Sequence, residues 1–242
     1  MQRREFMSGL MAASGLFIVS ATPATPATPA TPATPAAAAN VTEYDAVMGV
    51  RAALERGAAS AVSLLGKPGG FLDNPRVRIP LPGLLEDAAK VLRLTGQYGR
   101  IDELVIAMNR AAEAAVPQAK AVLVNAVRAI SVNDGRQILT GGDDAVTRFF
   151  AEKTRAPLSS TLLPIVTRAT EKVLLADKYN AVASKAAGFG LLDKDDADVQ
   201  HYVTGRTLDG LYLMIGEEER RIRRDPIGTG SAILQKVFGS LS

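Results

Sequence analysis

The sequence predicts an all-α protein: one orthogonal or bundle-like domain of about eight to ten helices, preceded by a leader and a Pro-rich linker. Three observations carry this. Ala, Leu and Val dominate the apolar residues, Trp is absent and aromatics make up only 5% of the 242 residues, which favours helices over a sandwich or barrel. Apolar residues recur at three- and four-residue steps in one stretch after another. Gly and Pro fall largely between those stretches, where helices stop and start. With 47% hydrophobic and 22% charged residues, the body reads as globular.

Met1 to Ala21 reads as a signal peptide. Arg3-Arg4 supply a short positive region, and Gly9 to Val19 an apolar one, shorter than the roughly 20 residues a membrane span needs. Val19-Ser20-Ala21 offers small residues for cleavage, with Ala37-Ala38-Ala39 a later alternative. Gln2-Arg3-Arg4-Glu5-Phe6-Met7 resembles the twin-arginine export motif. A general secretory signal is the alternative, and either route predicts a periplasmic protein. With no Cys in the chain, it is not a lipoprotein. Residues 22–40 are built on Thr-Pro-Ala triplets. Pro at every third position removes donors and fixes φ, so this stretch reads as an extended linker.

From residue 41 the helical pattern begins. Asn40 or Thr42 caps a helix through Val47, Val50 and Leu54, with Gly57 as its stop, and a second short helix runs through Ala58, Val62 and Leu65. Lys67-Pro68-Gly69-Gly70 is a break. Asp73 to Gly83 follows as a Pro-rich strap. Pro75, Pro80 and Pro82 prevent helix there and push Asn74, Ile79 and Leu81 toward extended conformations. Val77, Ile79 and Leu81 alternate with Arg76, Arg78 and Pro80, giving one apolar side and one side with two guanidiniums. The strap is either a loop pinned to the core or the edge of a groove marked by Arg78.

A helix is expected over 84–94, and another from Ile101 to Ala115 with Ile101, Leu104, Val105, Met108, Ala112 and Ala115 as its core stripe. Asn109, Arg110 and Glu113 interrupt its apolar surface at spacings that let them touch. They form either a buried polar bracket between layers or a surface ion pair. Pro117 opens a helix with Leu123 and Val127 inward. Asn133 or Asp134 caps a short helix ending near Gly141-Gly142, and Asp143 or Asp144 caps the next, on which Asp144 and Thr147 share a face. Pro157 starts a separate long helix, kinked at Pro164. A poorer helix covers 178–187. The last long helix runs from about Asp196 to Arg224 over a core face of Val199, Tyr202, Val203, Leu208, Leu211, Ile215 and Ile222. Its Glu217-Glu218-Glu219 and following arginines read as surface ion pairs. A short amphipathic tail of Ala232, Ile233, Val237 and Phe238 docks back.

Several chemistries are excluded. Without Cys there is no thiolate zinc site, Fe–S cluster or Cys nucleophile. With His201 the only His, a His-rich metal site, and a Ser-His-Asp triad anywhere else, are ruled out. The 193–198 acidic run fails the calcium-loop spacing at its fifth, sixth and twelfth positions. It reads as helix-capping acids. No nucleotide motif is present. The net charge of +3 is spread along the chain, which gives no footprint for nucleic acid. No cofactor and no metal are expected, and no residue is assigned as catalytic. Acids that could serve acid–base work are Glu113, Asp134, Asp143, Asp144 and Asp209, the last inside Leu208-Asp209-Gly210-Leu211.

Taken together, Phe71 to Pro75 with Val77 to Pro82, Met108-Asn109-Arg110-Ala111-Ala112-Glu113, Tyr202-Val203-Thr204, Leu208-Asp209-Gly210-Leu211 and Ile222 to Pro226 resemble domain-of-unknown-function family 4197. The resemblance spans roughly Ala52 to Phe238. It implies an exported, all-helical bacterial domain and no activity. The sequence thus points to a non-enzymatic binding or envelope-associated protein whose partner is an unknown protein, lipid or envelope component. The mature form has no transmembrane span. A carboxylate-dependent periplasmic hydrolase is the alternative. The binding or buried-polar candidates are Arg78, Asn109, Arg110, Glu113, Asp134, Asp144, Thr147 and Asp209.

Overall fold

A computed structural model describes residues 41–83, 86, 98–139, 141–142, 144–171, 176–177, 180 and 198–241. All of them fall within one unit, Ala38–Ser242. Among them every regular element is helical: α1 (Glu43–Leu65), α2 (Tyr98–Ala115), α3 (Ala119–Arg128), α4 (Val132–Leu139), α5 (Ala145–Thr170), α6 (Val199–Arg224) and α7 (Ala232–Phe238), with short 3-10 turns after α2, α6 and α7. The expected leader, linker and most of the helices expected over 84–94 and 178–187 lie outside the described residues. No helix among the described residues is long and apolar enough to cross a membrane.

Two long helices organise the packing. α6 lies against both α1 and α5, and α2 packs on α5. All seven expected core residues of α6 are buried. Its buried hydroxyls are satisfied within the helix: Thr204 Oγ1 donates to the Gln200 carbonyl and Thr207 Oγ1 to the Val203 carbonyl, both at 2.7 Å, so they enter the core without an orphaned donor. On α1 the buried row Val47, Val50, Leu54, Ala58, Ala61 and Leu65 follows three- and four-residue steps. Thr42 caps α1 in a box with Asp45, which also takes Lys236 Nζ of α7 at 2.7 Å.

Gly57 does not stop α1. The helix runs through it to Leu65, and a Cβ at Gly57 would come 3.3 Å from Ile215 Cγ2 on α6. This glycine serves the approach of two helices, which outweighs its weak helix propensity. Similarly, Pro157 does not start a helix. Both Pro157 and Pro164 lie inside the continuous α5. Seven residues apart, they share the exposed face, where water can take the carbonyls their rings displace.

The short helices correct the capping assignments. α4 is capped by Ser131 rather than Asn133 or Asp134. The Asp134 N–H donates to Ser131 Oγ at 3.3 Å, and the Ser131 N–H donates back to Asp134 Oδ2 at 2.8 Å. Asp134 is thus the acid at the third position of the helix, in its first turn, that completes a capping box. Of the 193–198 acids, Asp198 is described, and it caps α6 by accepting from the His201 N–H at 3.0 Å. In the tail, Leu234, Val237 and Phe238 are the buried residues, Ile233 is partly buried and Ala232 is exposed.

The largest departure is the acidic run on α6. Glu218 and Glu219 are buried, not surface groups. Glu219 caps α5 from outside that helix: its carboxylate accepts from the N–H of Val146 at 3.2 Å and of Thr147 at 2.9 Å, and from Thr147 Oγ1 at 2.7 Å. Arg223, one turn along α6, donates to the same carboxylate at 3.1 Å. Asp144 occupies the N-cap position of α5 but makes no side-chain cap bond. Removing Glu219 strands two helix-terminal N–H groups and a largely buried guanidinium, so Glu219→Ala is expected to cost roughly 3–5 kcal/mol. Glu217→Ala, which loses an open pair with Arg76, should cost less than about 1 kcal/mol. Urea denaturation midpoints of the two variants provide the check, and equal midpoints would contradict the capping role.

Candidate functional site

The strap is built by turns before it is built by side chains. Gly69 has φ +82°, a conformation that disfavours any side chain. Turn bonds follow from Asp73 N to the Gly69 carbonyl and from Val77 and Arg78 N to the Asn74 carbonyl. Val77, Ile79 and Leu81 are buried as the alternation predicts, while Arg76 and Arg78 are exposed. Phe71, at the start of this segment, is fully buried, and a Cβ on Gly210 of α6 would come 2.9 Å from its ring.

Three side chains hold the strap from behind. Asn109 is fully buried, and its amide pairs with Ile79 as a neighbouring strand would. The Ile79 N–H donates to Asn109 Oδ1 and Asn109 Nδ2 donates to the Ile79 carbonyl, both at 2.9 Å. Nδ2 also donates to the Val105 carbonyl at 2.8 Å. Glu113 Oε1 accepts from the N–H groups of Phe71 and Leu72, each at 3.1 Å, and Oε2 accepts from Arg110 Nη1 at 2.6 Å. Tyr202 OH of α6 donates to the Pro80 carbonyl at 3.2 Å. An extended segment without sheet partners thereby has buried backbone groups satisfied.

The Asn-Arg-Glu trio is therefore a bracket with one open member. Asn109 and Glu113 are buried, but the Arg110 side chain is 44% exposed. The far face of α2, with Ile106 and Ala114 exposed around Arg110, is open rather than covered by a second layer. Burial pushes the Glu113 carboxyl upward, but the Leu72 N–H, the Arg110 guanidinium and the Phe71 and Gly69 N–H groups outweigh it and hold its pKa below the ordinary value.

In front of the strap lies a groove of about 370 Å³ between residues 76–80 and the mid-section of α6. Arg78, Arg206, Asp209 and Leu213 border it, with Ile79 and Gly210 in its floor. Asp209 is half exposed and pairs with Arg155 of α5 at 2.7 Å and with Arg206 at 3.9 Å. Arg206 also stacks over the Tyr202 ring at 5.3 Å. Arg76 reaches out to Glu217, with Nη1 2.7 Å from Oε2. Arg78 has no ion-pair or hydrogen-bond partner for its side chain among the described residues.

The structure brings Arg78 and Asp209 together at this groove, with Asn109, Arg110 and Glu113 directly behind the strap. It places the other candidates elsewhere. Asp134 sits in its capping box, where the bonds from Ser131 lower its pKa. Asp144 is exposed and pairs with Arg148 at 3.3 Å. Thr147 is buried under Glu219. Of the five acids considered for acid–base chemistry, Asp143 lies outside the described residues, and of the other four only Asp209 lines the groove. His201 is half exposed on the first turn of α6, with Nδ1 3.4 Å from Asp198. No group of three or more His, Cys, Asp or Glu able to hold a metal occurs among the described residues. Sequence reasoning missed Arg206 and Glu219. Arg206 lies one helical turn before Asp209, and that spacing was a usable signal for the pair.

Two expectations test the bracket. Asn109→Ala leaves the Ile79 N–H and the Ile79 carbonyl without that amide. It is expected to lower stability by roughly 1–3 kcal/mol and to speed tryptic cleavage after Arg78. Arg110→Ala, losing a half-exposed pair, should cost less than about 1 kcal/mol. Cleavage at Arg78 no faster in Asn109→Ala than in wild type would contradict the assignment.

The lowered Glu113 pKa gives a pH dependence of known sign. Its stabilising contribution is present above the unfolded-state value, about 4.3, and is lost as pH falls through the lower folded-state value. Hydrogen exchange at the Phe71 and Leu72 amides, corrected for intrinsic rates, should lose protection across that acidic window. In Glu113→Gln this titrating component should vanish.

Compared with known families, the chain matches the model for "Protein of unknown function (DUF4197)" over residues 40–239. No curated protein and no solved structure gives a match.

Proposed function

Because the chain belongs to the DUF4197 family, whose description carries no activity, we propose a function from the leader and the groove: an exported, non-enzymatic binding domain of the bacterial envelope. Residues 1–21 are its signal peptide, of the twin-arginine type. Residues 22–40 are a spacer and 41–242 the working domain, acting in the periplasm. Its partner is a protein, a lipid or another envelope component, met at the groove between the strap and α6.

One observation carries this reading. The strap is tied by its back to Asn109 and Tyr202 and the turn before it to Glu113, while Arg78 on its front has no partner among the described residues. An extended segment held this firmly presents its front side chains in a fixed arrangement, which lowers the ordering cost of binding. A carboxylate-dependent hydrolase gains less support. Two carboxylates would have to converge on one cleft, and Glu113, Asp134 and Asp144 are held by backbone N–H groups or arginines away from the groove.

The test is native mass spectrometry of the protein exported through its own leader, beside a Leu213→Asp variant. Leu213 is 37% exposed on the groove rim, so the variant should fold. The wild type is expected to lose its first 21 residues and to carry a bound species that the variant lacks. An uncleaved leader would overturn export. Identical spectra for the two forms would overturn the groove as the binding surface.

A further inference from the structure

We infer that the groove recognises a small amphipathic anion, a carboxylate or phosphate group carried on a short apolar body. This rests on the reading of the groove as the binding surface and adds the chemistry of its occupant.

The charge balance points to an anion. Four arginines, Arg76, Arg78, Arg155 and Arg206, stand at or beside the groove, and two carboxylates, Glu217 and Asp209, answer them. Four against two leaves two positive charges uncompensated. Arg76 is assigned to Glu217, and Arg155 and Arg206 share Asp209. Arg155 and Arg206 are further fixed by stacking at 5.3 Å over Tyr212 and Tyr202 respectively. Arg78 is the donor left over. A guanidinium presents paired N–H groups that match two oxygens of a carboxylate or phosphate.

The surroundings supply the rest of the specificity. Pro80 of the strap and Leu213 of α6 give the groove exposed apolar surface beside that guanidinium. Its volume of about 370 Å³ falls in the range of small-molecule sites, roughly 300–1,000 Å³. Asp209 on the same lining repels a second negative group placed near it, which sets the anionic head at the Arg78 end.

Octanoate, octyl phosphate, octanol and octylammonium, titrated into the isotope-labelled mature protein and followed by amide chemical shifts, separate the possibilities. Saturable shifts centred on Ile79, Arg206, Gly210 and Leu213 with octanoate or octyl phosphate are expected. Arg78→Gln should weaken that binding at least tenfold, and raised salt should weaken it further. Preference between the two anions assigns carboxylate or phosphate. If octanol or octylammonium shifts the groove as strongly, or if Arg78→Gln binds the anions as well as wild type, the anionic inference falls while the groove stands. If none of the four moves groove resonances, or if shifts gather instead on the apolar groove of Val62, Leu123 and Val127 between α1 and α3, the inference and the groove reading fall together.

Discussion

Three consecutive glutamates on α6 tie the structure together. Successive helix positions point about 100° apart, so Glu217, Glu218 and Glu219 reach in three directions. Glu217 meets Arg76 of the strap, Glu218 meets Arg56 of α1 at 2.8 Å, and Glu219 caps α5. Two of these carboxylates are buried, where an unpaired charge would be prohibitive. Each is answered from its own helix as well, Glu218 by Arg221 and Glu219 by Arg223. For Glu218, burial raises the carboxyl pKa, but Arg221 and Arg56 prevail and leave it lowered. Buried ion pairs are weak evidence for stability and better evidence for specificity. Here they fix the register of α6 against three neighbours at one level of the fold.

The same device recurs at other chain ends. Arg51 of α1 donates to the Ile130 carbonyl at 2.7 Å and to the Arg128 carbonyl at 3.1 Å, closing the C-terminal end of α3. Asn180 Oδ1 accepts from the Val199 N–H at 2.9 Å at the start of α6. Glu113 does for Phe71 and Leu72 what Glu219 does for Val146 and Thr147. Helix ends and the strap's backbone present orphaned polar groups, and this fold satisfies several of them with side chains from other elements. That arrangement couples formation of an end to formation of the tertiary contact.

This coupling explains what could be read in the sequence and what could not. The core stripes of α1, α2 and α6 were legible because periodicity reports which face a residue occupies. The alternation in the strap correctly assigned Val77, Ile79 and Leu81 inward for the same reason. Periodicity does not report the partner across that face. Glu217 to Glu219 followed by arginines has the spacing of surface pairs, and nothing local distinguishes it from a buried clamp. Gly57 has the look of a stop until Ile215 is placed beside it. Pro157 looks like a start until it is seen inside a continuous α5. Of the candidate site, Asn109 and Glu113 were marked by polarity within an apolar run, a signal that survives without coordinates. The convergence of Arg78 with Asp209 was not, because it joins positions in separate elements.

The strap shows how such a fold can hold a binding edge without a sheet. An extended segment alone in a helical protein would leave a row of buried N–H and C=O groups unpaired. Asn109 supplies both a donor and an acceptor to one residue, Ile79, doing with a side-chain amide what a neighbouring strand does with its backbone. Glu113 anchors the preceding turn and Tyr202 the following residue. The bonds all lie on the core side, so they consume none of the strap's outer surface. Of the residues facing outward, Arg76 is held by its own pair with Glu217, while the backbone of Arg78 is placed by the bonds of its neighbours. The ties come from α2 and, through Tyr202, from α6, so the fold of the strap depends on both helices at once.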